Sequence, residues 1–159
     1  MTTTASPNRA TITTPMDRVI HIERIFNASR DRVWRAHTDP KLVVQWWGRG
    51  NMVIERDEVE RGGHWRYVED TPEGRYGFEG RYREVTPQER ISRTFEWDAM
   101  PGYVIVETTV FEDLGDGRTK LTTDSLFHTT EERDGMLEAM DTGVDESYDA
   151  LDRLLATMK

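Results

Sequence analysis

The stretch YVIVETTVFEDLGDGRTKLTTDSLFH, residues 103–128, decides how this chain is read. Two runs rich in Val, Ile, Thr and Phe flank Gly115-Asp116-Gly117, which suits a three-residue hairpin loop with Gly117 in the left-handed position. That turn sets the register, placing Phe111 opposite Leu121, Thr109 opposite Thr123 and Glu107 opposite Ser125. From Thr129 the apolar period changes, and Leu137, Met140, Val144, Tyr148, Leu151 and Leu155 recur every three or four residues. The spacing predicts one amphipathic helix of about 25 residues, roughly 38 Å long. Such a helix needs a sheet face on which to bury its stripe.

Toward the amino terminus the hairpin rhythm continues. Strands are expected over Met52 to Val59, His64 to Glu69, Tyr76 to Val85, Arg90 to Trp97, Tyr103 to Glu112 and Arg118 to His128, separated by Gly- and Pro-containing turns. Arg18 to Asn27 reads as a first strand. Ser29 then caps a helix Arg30 to His37, and Asp39-Pro40 supplies the N-cap and first residue of a second short helix ending at Trp46-Trp47-Gly48. The expected fold is α+β, a curved seven-stranded antiparallel sheet in the order β-α-α-β6-α wrapped around the last helix. Residues 1–16, rich in Thr, Ser and Pro, read as a flexible arm, with Thr11 to Pro15 lying along the first strand, and 17–159 as a single domain.

Composition removes several function classes. A formal charge of −9 repels phosphate backbones and anionic lipid, so neither nucleic acid nor a membrane is an expected partner. Zero cysteines exclude disulfides, thiolate metal sites and cysteine nucleophiles. His21, His37, His64 and His128 lie far apart without ligand spacing, so no metal is expected, and the glycines at 74, 77 and 80 do not form a dinucleotide fingerprint. No G-x-S-x-G occurs. Without a spanning segment or secretory h-region in the sequence, a cytoplasmic location is expected, with no cofactor.

A set of local motifs carries a family resemblance: Phe26-Asn27-Ala28-Ser29, Thr38-Asp39-Pro40 with Trp46-Trp47-Gly48, Gly62-Gly63-His64-Trp65-Arg66-Tyr67, and Phe78-Glu79-Gly80-Arg81-Tyr82-Arg83-Glu84-Val85. Together with Pro87 to Ile91 and Glu146-Ser147-Tyr148, they make Arg18 to Ala156 resemble the activator-of-heat-shock-protein-90-ATPase-like branch of the START and birch-allergen helix-grip superfamily. The resemblance implies a helix-grip fold and a cavity. That superfamily includes lipid carriers, hormone binders, polyketide cyclases, hydrolases and chaperone cofactors, so fold alone does not select a function. Where the family often carries Gly-Trp in the last helix, this chain has Gly143-Val144, which would leave more open volume.

Strand parity names the candidate pocket. Trp65 and Tyr67, Phe78 and Tyr82, and Phe95 and Trp97 fall on shared strand faces expected to meet the last helix, with Met140, Val144 and Tyr148 above them. These rings either line a ligand cavity or simply fill the core. Arg93 shares the face of Phe95 and comes opposite or one step from Glu107, with Thr109, Thr123 and Ser125 nearby. The pair either projects into the cavity, where Glu107 and Arg93 are the candidate catalytic groups, or forms an exposed cross-strand contact. The leading expectation is a binding module for a small hydrophobic or amphipathic molecule. An enzyme using a buried carboxylate for cyclisation, dehydration or hydrolysis is the second, and a chaperone-ATPase partner acting through an outer surface is the third. A monomer and a homodimer are both compatible with the exposed sheet face.

Overall fold

A computed structural model describes residues 9–48, 51–140 and 143–158. In chain order the elements are β1 (Thr11–Thr13), β2 (Val19–Phe26), α1 (Arg30–Thr38), α2 (Pro40–Val43), β3 (Met52–Asp57), β4 (His64–Thr71), β5 (Gly74–Thr86), β6 (Arg90–Trp97), β7 (Ile105–Asp113), β8 (Thr119–Leu126), α3 (Thr130–Ala139) and α4 (Gly143–Thr157). One antiparallel sheet runs β1-β2-β8-β7-β6-β5-β4-β3. It is the α+β architecture expected, with eight strands rather than seven, because Thr11–Thr13 pairs with Glu23, Ile22 and His21 and so forms the edge strand β1.

Local chemistry explains the element boundaries. The Ser29 hydroxyl accepts the Arg32 N–H at the start of α1, and Asp39 accepts the Lys41 N–H at the start of α2, with Pro40 at its first position. The loop at Gly115 to Gly117 takes positive φ at both glycines, and the β7–β8 register pairs Phe111 with Leu121, Thr109 with Thr123 and Glu107 with Ser125. Gly80 sits where β5 curls against β6. A Cβ there would collide with the Thr94 carbonyl oxygen, so this close approach of two backbones requires glycine.

The carboxy-terminal segment differs from expectation. It is two helices, not one, because the chain leaves helical geometry at Met140 (φ −93°, ψ 3°) and resumes at Gly143. A capping box between Thr129 and Glu132 starts α3. Leu137, Met140, Val144 and Tyr148 still pack against one cluster around Ile20, Ile22 and Phe127, so the apolar period carries across the break and hides it from a periodicity argument. Only α4 is anchored deeply. Its Leu151 and Leu155 are fully buried with Phe26, Val33, Phe111 and Leu121, where truncation of one leucine to alanine costs about 2–5 kcal/mol. Arg24 of β2, itself buried, reaches Asp149 at 2.9 Å and Asp152 at 3.5 Å and so ties α4 to the sheet. None of its nitrogens makes an aligned hydrogen bond, which makes this a tether of charge at contact distance.

Candidate functional site

The concave face of the sheet, α2 with the turn after it, and the α3–α4 pair enclose a partly open cleft of about 850 Å³. One cross-strand row crosses its floor. Ile20, Ser125, Glu107, Arg93 and Tyr82 are successive partners on β2, β8, β7, β6 and β5. All five side chains line the cleft, as alternation along each strand requires.

Arg93 lies at the centre of this row. Its guanidinium carbon is 4.0 Å from the Trp65 ring centroid, a cation–π contact, and its Nη1 donates to the Tyr67 hydroxyl at 3.3 Å. Its Nε is 3.7 Å from Glu107 Oε1, longer than a hydrogen bond. Behind the row, Asp57 accepts the Tyr82 hydroxyl at 2.6 Å and the Tyr67 hydroxyl at 3.2 Å. A continuous polar chain therefore joins Asp57, the two tyrosines, Arg93 and Glu107. Burial pushes the Glu107 carboxyl above its usual range against the pull of Arg93, and it pushes Asp57 up in the same way against its two phenols and Arg93. Tyr148, hanging from α4, is pushed up to about 12, chiefly by burial, against a hydrogen bond with Thr123.

Most of the residues singled out from sequence come together here. Tyr67, Phe78, Tyr82 and Phe95 line the aromatic end, and Arg93, Glu107, Thr109 and Thr123 form the floor. Met140, Val144 and Tyr148 close the helix side. Two residues do not join them. Trp65 is fully buried beneath Arg93, Tyr67 and Phe95, its indole N–H bonded to the Thr94 carbonyl, so it supports the floor without lining it. Trp97 is 37% exposed and stacks on Phe78 outside the cleft, because strand parity fixes a face and not how far along the strand the roof extends. The roof also differs. Above Tyr67 and Phe78 it is Trp47, meeting both rings edge-on at 5.3 and 5.2 Å, and not the last helix.

Sequence reasoning missed His37, Trp46 and Trp47 as lining residues. The Trp46-Trp47 doublet just after α2 was a usable signal, since adjacent side chains point apart and only one of two large indoles can take the fully buried place. His37 gave none. Its Nδ1 lies 2.8 Å from the Val33 carbonyl oxygen, which assigns the proton to that nitrogen and leaves Nε2 as the acceptor. Burial lowers its pKa to about 4, helped by Arg93 and opposed by the Val33 bond, so the ring is neutral near pH 7.

Among the described residues no group of His, Asp and Glu is arranged to hold a metal ion, and no helix is long and apolar enough to cross a membrane. Comparison with solved structures gives broad agreement in fold. A Rhodobacter sphaeroides protein is 27% identical with a TM-score of 0.84, covering 94% of this chain and 99% of its own. Protein Ms6760 from Mycobacterium smegmatis is 19% identical with a TM-score of 0.81 over the same shares. DynU16, a protein in the dynemicin biosynthetic locus, is 23% identical with a TM-score of 0.64, covering 90% of this chain and 48% of its own. No curated protein matches. Residues 27–156 match the family described as Activator of Hsp90 ATPase homolog 1-like protein, from the end of β2 to the end of α4. By that match and by its helix-grip architecture, this chain belongs to the Activator of Hsp90 ATPase homolog 1-like family of the START-like (SRPBCC) superfamily.

Proposed function

We propose that this chain binds a small hydrophobic or amphipathic molecule in the cleft between sheet and helices. The supporting observation is the cleft itself, about 850 Å³ lined by aromatic and aliphatic side chains around a few polar groups. Ligand sites are typically about 300–1,000 Å³ and combine those two kinds of lining. A thermal-shift screen against lipids, flavonoids and polyketide-like compounds tests it. A ligand at 100 times its Kd adds about 2.7 kcal/mol, which for a domain of this length raises Tm by roughly 5–10 °C. Val144 lines the cleft from α4, so Val144→Trp is expected to abolish the shift while the protein stays folded. A ligand whose affinity is unchanged in that variant would overturn the placement and direct attention to an outer surface, as a chaperone partner would require.

A catalytic use of the same cleft is favoured by one observation, the half-buried Glu107 carboxyl raised by burial beside a fixed guanidinium. Such a group can relay a proton in a cyclisation, dehydration or hydrolysis. Under this reading Glu107→Gln abolishes turnover at saturating ligand. Under simple binding no turnover exists to lose.

A further inference from the structure

The cleft lies between two separate hydrophobic clusters. One gathers Ile20, Ile22 and Phe127 with Met140 and Val144, and the other gathers Tyr67 and Tyr82 with Trp47, Phe78 and Phe95. On the floor between them stand Ser125, Glu107 and Arg93 in one row and Thr123 and Thr109 in the next. None of these five belongs to either cluster, and Tyr148 packs against both from above. A molecule filling this space meets apolar walls at both ends and hydrogen-bonding groups in the middle.

Charge narrows the occupant further. Arg93 and Glu107 are directly opposite, so any anion placed on Arg93 meets the Glu107 carboxylate, and any cation placed on Glu107 meets the guanidinium. Asp57 is one tyrosine hydroxyl away, and the chain carries −9 overall, which adds to the cost for an anion. A neutral centre avoids both penalties. Arg93 has N–H donors beyond the one bonded to Tyr67, and Glu107 accepts. Arg93 Nε and Glu107 Oε1 stand 3.7 Å apart, so one molecule that meets both presents its acceptor and its donor on neighbouring atoms of its skeleton.

We propose that the ligand is an uncharged molecule in which a carbonyl and a neighbouring hydroxyl lie between two apolar arms, the carbonyl on Arg93, the hydroxyl on Glu107 and one arm against each cluster. This rests on the binding reading above and specifies the ligand class for it. A fatty-acid-like molecule, charged at one end, is the contrasting class.

Three probes separate these classes by titration followed through tryptophan fluorescence. Benzoin carries a carbonyl and a neighbouring hydroxyl between two phenyl arms. Bibenzyl keeps the same arms without the polar centre, and dodecanoate carries a terminal charge. Benzoin is expected to bind at least about tenfold more tightly than either of the others, the increment of one charge-assisted hydrogen bond. Glu107→Gln, a near-isosteric change, should weaken benzoin about tenfold and leave bibenzyl unchanged. Tightest binding by dodecanoate, equal binding by bibenzyl, or an equal loss of both hydrocarbon-armed probes in Glu107→Gln would each overturn the inference. Failure of benzoin while the wider screen yields a ligand removes the inference alone, whereas a screen without any ligand removes the binding reading as well.

Discussion

Two arginines on one sheet, Arg66 and Arg93, do opposite things. Arg66 on β4 faces away from the cleft, since its neighbours Trp65 and Tyr67 face inward. It donates to both oxygens of Asp98 at 3.0 and 2.8 Å, to Glu79 at 3.0 Å and to Glu55 at 3.2 Å. Arg93, two strands away on β6, makes one hydrogen bond at 3.3 Å and one ion pair at 3.7 Å, with Trp65 as its platform. The outer guanidinium is saturated and joins strands. The inner one is held in place by a ring while part of its donor capacity is turned toward open space, which is what the proposed ligand would use.

The comparison breaks most sharply at Arg93. Arg93→Met removes the cation from Trp65 and leaves Glu107 in its half-buried position without a partner. Losing one member of a buried pair costs about 3–5 kcal/mol, and because the Glu107 side chain is 26% exposed we expect about 3 kcal/mol in urea denaturation. Adding Glu107→Gln to Arg93→Met should recover most of that loss, because the orphaned charge is then gone. Equal stability of the single and double variants would show that packing on Trp65, and not the ion pair, fixes this residue. Lowering the pH should shrink the penalty of the single variant, since Glu107, already raised by burial, takes up a proton more readily once the guanidinium is absent.

This pair also marks how far the sequence could be read. The Gly115 to Gly117 turn was enough to place Glu107 opposite Ser125, and counting through the next connection brought Arg93 opposite or one step from it, where the structure has them directly paired. Whether the row faced solvent or a cleft was not decidable from β6 and β7. That depends on α2 and α4, which approach from distant parts of the chain. The same limit explains Trp65 and Trp97, which share parity with true lining residues while one lies under the floor and the other beyond the roof. It explains Trp47 as well, whose contacts with Tyr67 and Phe78 are set by where α2 ends. The helix break at Met140 escaped because both halves bury one stripe. Residues 49–50 and 141–142, within the expected turn after Gly48 and the expected single helix, lie outside the described residues.

His37 sharpens the contrast through pH. Its folded pKa of about 4 lies below the ordinary 6.5, so between those values the unfolded chain binds more protons and stability rises with pH. On acidification from 6.5 to 4 this residue should remove about 2 kcal/mol, reduced from the full shift because the residue is only half-buried by its surface exposure. The raised carboxyls of Glu107 and Asp57 act with the opposite sign, since the folded state protonates first and gains stability as pH falls through their folded values. His37→Asn can keep the donor to the Val33 carbonyl while removing the titration. Denaturation midpoints across that window should therefore flatten in the variant, and an unchanged slope would mean that the ring is not held neutral by burial.

The smallest effect is expected where the hydrogen bonds are most numerous. Arg66→Met breaks four contacts, yet each carboxylate freed is exposed enough to rehydrate, with side-chain exposures of 43%, 40% and 36% for Glu55, Glu79 and Asp98. Asp98 keeps the Gly77 N–H at 2.9 Å and Glu79 keeps His64 at 3.0 Å, so neither is orphaned. Exposed ion pairs are worth about 0–1 kcal/mol, and the loss should stay within that range and shrink with added salt. Its acid dependence carries a second readout. The Asp98 carboxyl is held below its usual range first by its bond to Arg66, so it stabilises the fold above its unfolded pKa and loses that contribution as pH falls through the folded one. Arg66→Met should weaken this part of the acid limb and leave cleft affinity untouched, since Arg66 lies on the opposite face. A loss of ligand affinity in Arg66→Met comparable to that in Arg93→Met would mean that the two faces are coupled through β5, and that hydrogen-bond saturation does not distinguish a structural guanidinium from one reserved for a ligand.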